Sequence, residues 1–488
     1  MPPANHTEPK PHLTATLVLA CLAQFMVILD VSVVNVALPA IRGGLHFSEV
    51  NLQWVVNAYT VTFAGFLLLG GRAADLLGRR RVFVGGLVLF SAASLVGGMA
   101  DSQGVLIAAR AIQGLGGAVI APASLSILTT TFTEGPARNR AVGIWGAMGG
   151  AGGAAGVLLG GVLTDLLGWR WILFINVPIG LLAAFFAHRL LLESRRPGST
   201  RGFDLSGALT ATVGLSLLVL GIVRTDQTGW GSAQTLTLIG AGIALLLVFL
   251  VIEGRFARAP LMPLRIYKSR TLSAANVVML LLGGSSFGMW FFVSLYLQQV
   301  LGYSPIRAGL AFLPMTLCIV VGSTLASRWV ARIGAKPLLV VGMSSLVLGL
   351  LWFAQISAHG NYLNDMLGAS LLVAVGIGLS MVPSTISAVA GVAPAEAGLA
   401  SGLVNTARLF GGALGLAILA AIATGRTDHD LSHGISGGAH AALTNGFQLA
   451  FVVAAAFALI GGVVALVGIP RMPGRRGQAA SVASAESA

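Results

Sequence analysis

Asp30 stands alone within a long apolar run, Leu29-Asp30-Val-Ser-Val-Val-Asn35-Val-Ala-Leu-Pro39, whereas the other acids fall at the ends of such runs or between them. A carboxylate inside a membrane-crossing helix costs roughly 2.5–3.5 kcal/mol on insertion scales. Such a residue therefore faces a cavity and marks an ion or proton path, or else sits in a static buried ion pair. A carboxyl in low-dielectric surroundings favours its neutral form, and a neighbouring cation favours its charged form. That competition is what a reversible proton carrier needs. Arg110 is the expected cation. With the helix of Asp30 running outward and that of Arg110 inward, the two lie about 12 Å and about 8 Å from the outer ends of their helices, so their depths match. Gln113 and Gly114 follow at i+3 and i+4 and share the face of Arg110. The other reading of Arg110 is a side chain snorkelling to the outer interface. Asn35 projects about 140° from Asp30 around the helix and is expected to bond a neighbouring helix instead.

Other chemistries lack their residues. Lysine occurs only at positions 10, 268 and 336, never after glycine, so there is no P-loop to drive work with ATP. Cys21 and Cys318 sit in separate apolar runs without a CxxC or a histidine cluster, which leaves neither a disulfide framework nor a metal site. No nucleophile–base pair suggests an enzyme, and no cofactor is implied. Apolar walls with a few polar anchors suit lipophilic ligands. Within the apolar runs, Gln24, Trp54 and Tyr59 in the first half and Phe287, Trp290, Phe291, Tyr296 and Asn405 in the second are the candidate substrate-binding residues.

The elements that must position these groups are membrane helices. Of 488 residues, 56% are hydrophobic and only 9% charged, with a mean hydropathy of +0.88; a soluble domain carries about a quarter charged residues. Fourteen apolar segments are long enough to cross about 30 Å of hydrocarbon. They lie near 15–39, 52–71, 82–100, 105–130, 140–164, 171–192, 205–223, 233–252, 272–300, 307–327, 337–354, 364–390, 399–424 and 446–469. With the N-terminus inside, twenty-two of the twenty-nine lysines and arginines fall on the inner side and five on the outer, Arg42, Arg170, Arg224, Arg307 and Arg426. That alternation gives an N-in, C-in topology and explains the net charge of +13 without nucleic acid. The expected organisation is a cytoplasmic tail (1–14), a six-helix bundle (15–192), linkers with two inserted helices (193–270), a second six-helix bundle (271–470) and a disordered cytoplasmic tail (471–488). Asp75-Leu-Leu-Gly-Arg-Arg-Arg-Val-Phe-Val-Gly-Gly86 resembles Ala331-Arg-Ile-Gly-Ala-Lys-Pro-Leu-Leu-Val-Val-Gly342. Each joins the second and third spans of a six-helix half, as in duplicated transporters. In span 5, small-residue rows through Gly156 and Gly160 allow backbones to approach closely.

Gly71-Arg-Ala-Ala-Asp75-Leu-Leu-Gly78-Arg79-Arg80-Arg81 resembles the loop signature of the major facilitator superfamily. The Asp30 run, Arg110-Ala-Ile-Gln113-Gly114 and Trp169-Arg170-Trp171-Ile-Leu-Phe-Ile-Asn176-Val-Pro178-Ile-Gly180 resemble its fourteen-span drug:proton antiporter branch. The chain departs from the family pattern at Ala73 and Leu76, and at Val157, where the antiporter signature of span 5 has proline. The resemblance implies two six-helix bundles rocking about a central cavity. It also implies a proton-transfer role for Arg110 and a gate in which Asp75, with Gly78, Arg79 and Arg80, meets the start of span 11 near Lys336 and Pro337.

The function so implied is proton-coupled export of lipophilic, cationic or neutral drugs or antibiotics by a monomer, with small lipophilic substrates, protons and membrane lipids as its partners. A dedicated metabolite exporter or a proton-coupled importer on the same fold is the alternative. A receptor or scaffold would need a larger extramembrane module than the longest loop, about 426–445. The excess of arginine over lysine and the abundance of alanine fit a bacterial inner membrane.

Overall fold

A segment without water partners must satisfy its peptide groups internally, and a helix is the local way to do so. The computed structural model describes residues 12–132, 136–194, 204–257, 260–390, 392, 396–434 and 437–470. Among them are fourteen helices long and apolar enough to cross a membrane: α1 Leu13–Leu45, α2 Val50–Leu77, α3 Arg79–Gly98, α4 Gln103–Thr131, α5 Arg140–Leu166, α6 Trp171–Leu190, α7 Leu205–Thr225, α8 Ala233–Phe256, α9 Arg270–Val300, α10 Pro305–Val330, α11 Ala335–Phe353, α12 Tyr362–Ala390, α13 Gly398–Ser432 and α14 Gly438–Gly468. No strand occurs among the described residues. Lys10, Arg195, Arg196, Arg201, Arg258, Arg471, Arg475 and Arg476, and both tails beyond residues 12 and 470, lie outside them.

Several helices outrun the apolar segments that announce them. α1 passes through Pro39 to Leu45 and is capped by His46 in a left-handed conformation (φ 54°). The segment expected as the longest loop is mostly helix, because α13 continues to Ser432 and α14 starts at Gly438. An Arg426–Asp430 ion pair at 3.2 Å supports that extension, and Asn445 donates to Asp430 at 2.7 Å. Side-chain caps fix other starts: Ser232, Ser269 and Ser304 each accept a backbone N–H from the first turn.

Packing repeats with an offset of eight helices. α1 packs on α4, α5 and α6, as α9 does on α12, α13 and α14; α2 packs on α4, as α10 does on α12; α3 packs on α4 and α6, as α11 does on α12 and α14. The α2–α13 and α5–α10 contacts that join the two sets exchange under the same operation. The repeated loops match in detail, since Gly78 (φ 110°) joins α2 to α3 and Gly334 (φ 83°) joins α10 to α11. Both glycines occupy a backbone region that side chains avoid. α7 seals the α2–α13 seam, and α8 packs on α7 with most of its apolar surface exposed.

Glycines set the closest approaches. A Cβ at Gly156 would overlap Ser32 and the Leu29 carbonyl, and one at Gly160 would overlap the Val33 carbonyl, so α5 lies directly on the α1 backbone. Gly283 and Gly411 do the same between α9 and α13. Gly411→Ala should lower stability by about 1–3 kcal/mol, as overpacking does, because its Cβ would meet the Leu280 carbonyl. Gly425→Ala, on the same helix with nothing within 4 Å, should not. Thermal unfolding of the two purified variants checks the difference, and equal melting temperatures would contradict this packing.

Candidate functional site

Asp30 is completely buried, and its carboxylate is held from two other helices. Arg110 of α4 donates from Nη1 to Oδ2 at 2.6 Å, while Gln113 of α4 and Asn176 of α6 donate to Oδ1 at 3.2 and 2.8 Å. The second layer is as closely specified. Arg110 Nε donates to the Val55 carbonyl of α2 at 3.0 Å, and Nη1 also reaches Gln113 Oε1 at 2.9 Å. Gln113 donates to Ser94 Oγ of α3 at 2.6 Å. The Arg110 guanidinium lies 4.5 Å from the Tyr59 ring centroid, a cation–π distance. Five helices thus converge on one carboxylate.

The arginine therefore turns inward to Asp30 and does not snorkel to the interface. Gly114 shares its face: a Cβ there would strike Thr62 and the Tyr59 carbonyl, so this glycine lets α2 reach Arg110. Asn35 bonds its own helix, donating to the Val31 carbonyl at 3.0 Å, while its carbonyl accepts from Ser294 of α9 at 2.5 Å. Together with Gln298 donating to the Val36 carbonyl at 2.8 Å, that bond ties α9 to α1 at the end bearing residues 39–50.

Ser94 and the Val55 carbonyl carry no mark in the sequence that singles them out, and Asn176 stands in an antiporter-like stretch that does not itself tie it to Asp30. Asn176 looks like an interfacial residue at the start of an apolar run; the signal available was that a buried carboxylate needs more donors than one arginine supplies.

In the loop between α2 and α3, Arg79 donates to Asp75 Oδ1 from Nη2 at 2.8 Å and from Nε at 3.2 Å. Arg80 reaches the Leu191 carbonyl at 3.3 Å. The residue missing from the sequence reading is Glu193, which accepts the backbone N–H groups of Arg80 and Arg81, both at 3.2 Å. α3 opens with three arginines and has no acid in its first turn. Its positive N-terminal end thus takes an anion from the chain segment after α6.

The eight candidate substrate residues do not gather in one place. Tyr59 belongs to the Asp30 cluster, its ring centroid 4.5 Å from the Arg110 guanidinium. Phe291 is buried against Phe292 at 5.3 Å, and Tyr296 is buried with its hydroxyl donating to the Ser357 carbonyl at 2.7 Å; both are interior packing. Trp54 packs into the cluster of Val61, Leu215 and Ala413 that joins α2, α7 and α13. Trp290 stacks on Phe312 at 5.1 Å. Gln24 is half-buried beside Gly149 of α5. Phe287 and Asn405 do meet, around Arg408: Asn405 Oδ1 accepts from Arg408 Nη2 at 3.0 Å, and the guanidinium lies 5.9 Å from the Phe287 centroid.

A family model described as the Major Facilitator Superfamily matches residues 20–416. The chain is 45% identical to the cephamycin export protein of Amycolatopsis lactamdurans, over 91% of this chain and 90% of that one. It is 40% identical to the puromycin resistance protein of Streptomyces alboniger, over 94% and 91%. In fold it resembles a bacterial homologue of the human lysosomal transporter Spinster, with a TM-score of 0.66 and 16% identity over 94% of this chain and 98% of that one.

Removing one member of a buried ion pair costs about 3–5 kcal/mol, since the other charge is left without compensation. Asp30→Asn and Arg110→Gln should each destabilise the purified protein, and the double variant should be destabilised by less than the sum. A thermal double-mutant cycle that came out additive would show that the pair contributes nothing as a pair.

Proposed function

The chain belongs to the Major Facilitator Superfamily, a family of transporters, and from that premise we propose a secondary antiporter that exports small lipophilic, antibiotic-like molecules while protons move inward. It is a multi-pass protein of the bacterial cytoplasmic membrane, read here as a monomer with both termini inside. Relatives named for cephamycin export, puromycin resistance, and tetracenomycin C resistance and export support antibiotic-like cargo.

The observation that carries proton coupling is Asp30, a fully buried acid whose Oδ2 meets a guanidinium at 2.6 Å and whose Oδ1 meets two amides. Three side-chain donors from α4 and α6 hold this carboxyl group. Protonation removes the charge that holds Arg110, so the convergence of α1, α4 and α6 must relax, and the two protonation states favour different helix arrangements. A carrier needs that difference, because a ligand shifts only an equilibrium whose states it binds unequally.

In the described arrangement the halves are hydrogen-bonded at the end bearing residues 35–50, through Ser294 and Gln298. By the charge alternation this is the outer end. Asp30 is thus sealed from outside, and the outer proton reaches it only after α1 and α9 part. The inner loop works as the matching latch. Asp75, engaged by Arg79 in this state, exchanges that contact for the start of α11 when the inner side closes. Where the two bundles meet, Gly161 of α5 lies on the Pro305 carbonyl and Gly309 of α10 on the Val157 carbonyl, and this seam of bare backbone permits the bundles to rock.

In inverted vesicles, Asp30→Asn should abolish uphill, proton-driven efflux of a transported dye while the protein still reaches the membrane. Full retention of that efflux would refute the assignment. The direction of transport against an imposed pH gradient separates export from import on the same fold, and a single accepted compound across a dye and antibiotic panel would favour a dedicated metabolite exporter.

A further inference from the structure

Arg408 is left over from the account of Asp30. It stands ten residues into α13, about 15 Å from that helix end, too deep to reach an interface by snorkelling. α13 packs on α2, α7, α9, α12 and α14, and the half-buried Arg408 side chain lies beside Asn405 of its own helix and Phe287 of α9. Guanidinium has no neutral form under ordinary conditions and carries five N–H donors in a planar fork. Here Nε and Nη2 both rest on a single neutral acceptor, Asn405 Oδ1, at 3.4 and 3.0 Å. Among the described residues no carboxylate pairs with it.

The contrast with the other intramembrane arginine is instructive. Arg110 has a carboxylate, a carbonyl, an amide and a ring face, all supplied by the protein. Arg408 has one amide oxygen and, 5.9 Å away, the Phe287 ring, which lies against Gly412 of α13. A cation at this depth, with an aromatic wall beside it and part of its fork unused, is a receptor half without its partner.

We propose that Arg408, with Asn405 and Phe287, is the cargo subsite for an acidic group, a carboxylate or a comparable oxyanion on an otherwise lipophilic molecule. The inference rests on the export reading for the word cargo, and it narrows that cargo to a class that the sequence, favouring cationic or neutral compounds, did not suggest. An oxyanion takes the free N–H groups of the fork, Asn405 keeps the guanidinium oriented, and Phe287 covers the apolar body next to the acid. The same fixed charge repels a cationic ligand.

Purified full-length protein separates these cases with one fluorophore in three charge states: dansyl-glycine, its methyl ester and dansyl-cadaverine. Wild-type protein should bind the acid about tenfold or more tightly than the ester, as expected for a charge-assisted hydrogen bond, and the amine most weakly. Arg408→Gln should bring acid and ester to equal affinity, whereas Arg408→Lys should keep part of the preference. Wild-type protein without preference for the acid overturns the proposal, as does a preference that survives in Arg408→Gln. Melting temperatures and ester binding identify a variant that has merely failed to fold, and the wild-type comparison stands without any variant. Transport in proteoliposomes distinguishes the two readings. Acid-selective binding without proton-driven efflux removes the antiport reading and leaves the subsite. Proton-driven efflux of dansyl-cadaverine in preference to dansyl-glycine removes the subsite and leaves antiport.

Discussion

An acid and an arginine paired away from water govern the first half of this molecule. Asp30 and Arg110 are both essentially inaccessible, and each loses far more hydration than their mutual attraction returns unless every remaining donor and acceptor is also met. That requirement reaches outward. Arg110 needs the Val55 carbonyl, so α2 must lie against α4, and Gly114 allows it. Gln113 needs Ser94, so α3 must lie on another side of α4, where Gly116 faces the Phe90 backbone. Asn176 must come in from α6. The glycines of α4 are thus consequences of the charge pair as much as of general helix packing.

Other small residues bring further helices into backbone contact. α5 presents Gly152, Gly156 and Gly160 to α1, and its Val157 carbonyl and Gly161 to α10. Between α9 and α13, Gly283, Gly284, Gly411, Gly412 and Gly415 form the equivalent seam. Backbones that meet without interlocking side chains have little to disengage when they slide. At the position where the antiporter pattern has proline, Val157 keeps α5 continuous along both neighbours, without a kink at that point.

Much of this was legible in the chain because lipid is an unforgiving solvent. Twenty-residue apolar runs and the sidedness of arginine gave fourteen helices, and a lone mid-helix carboxylate with Arg-x-x-Gln on another span gave the core of the site. The repeat around Gly78 and Gly334 was visible as sequence and reappears as a matched pair of left-handed glycines. Helix ends were misjudged because hydropathy reports the hydrocarbon layer, while backbone hydrogen bonding continues into water, as α13 does to Ser432. The roles of Asn176 and Glu193 were not legible for a common reason. Each acts through a neighbour distant in the chain, and a polar residue near a span end reads as interfacial until tertiary packing aims it.

The two intramembrane arginines then define a division of labour with an energetic consequence. Deep within its spans the first half holds one acid, Asp30, paired with Arg110; the second half holds a cation, Arg408, with which no carboxylate pairs among the described residues. On the antiport proposal with an acidic cargo, one proton entering against one anion leaving moves two charges down a membrane potential that is negative inside. Each charge contributes about 2.3 kcal/mol per 100 mV. A single mid-depth carboxyl, which would be a modest power source for a neutral cargo, gains a second charge of driving force from the cargo itself. On this account the scarcity of acids in the second half is not a missing proton site. Any carboxylate placed beside Arg408 would compete with the cargo for the same fork of donors and remove the charge that recognises it.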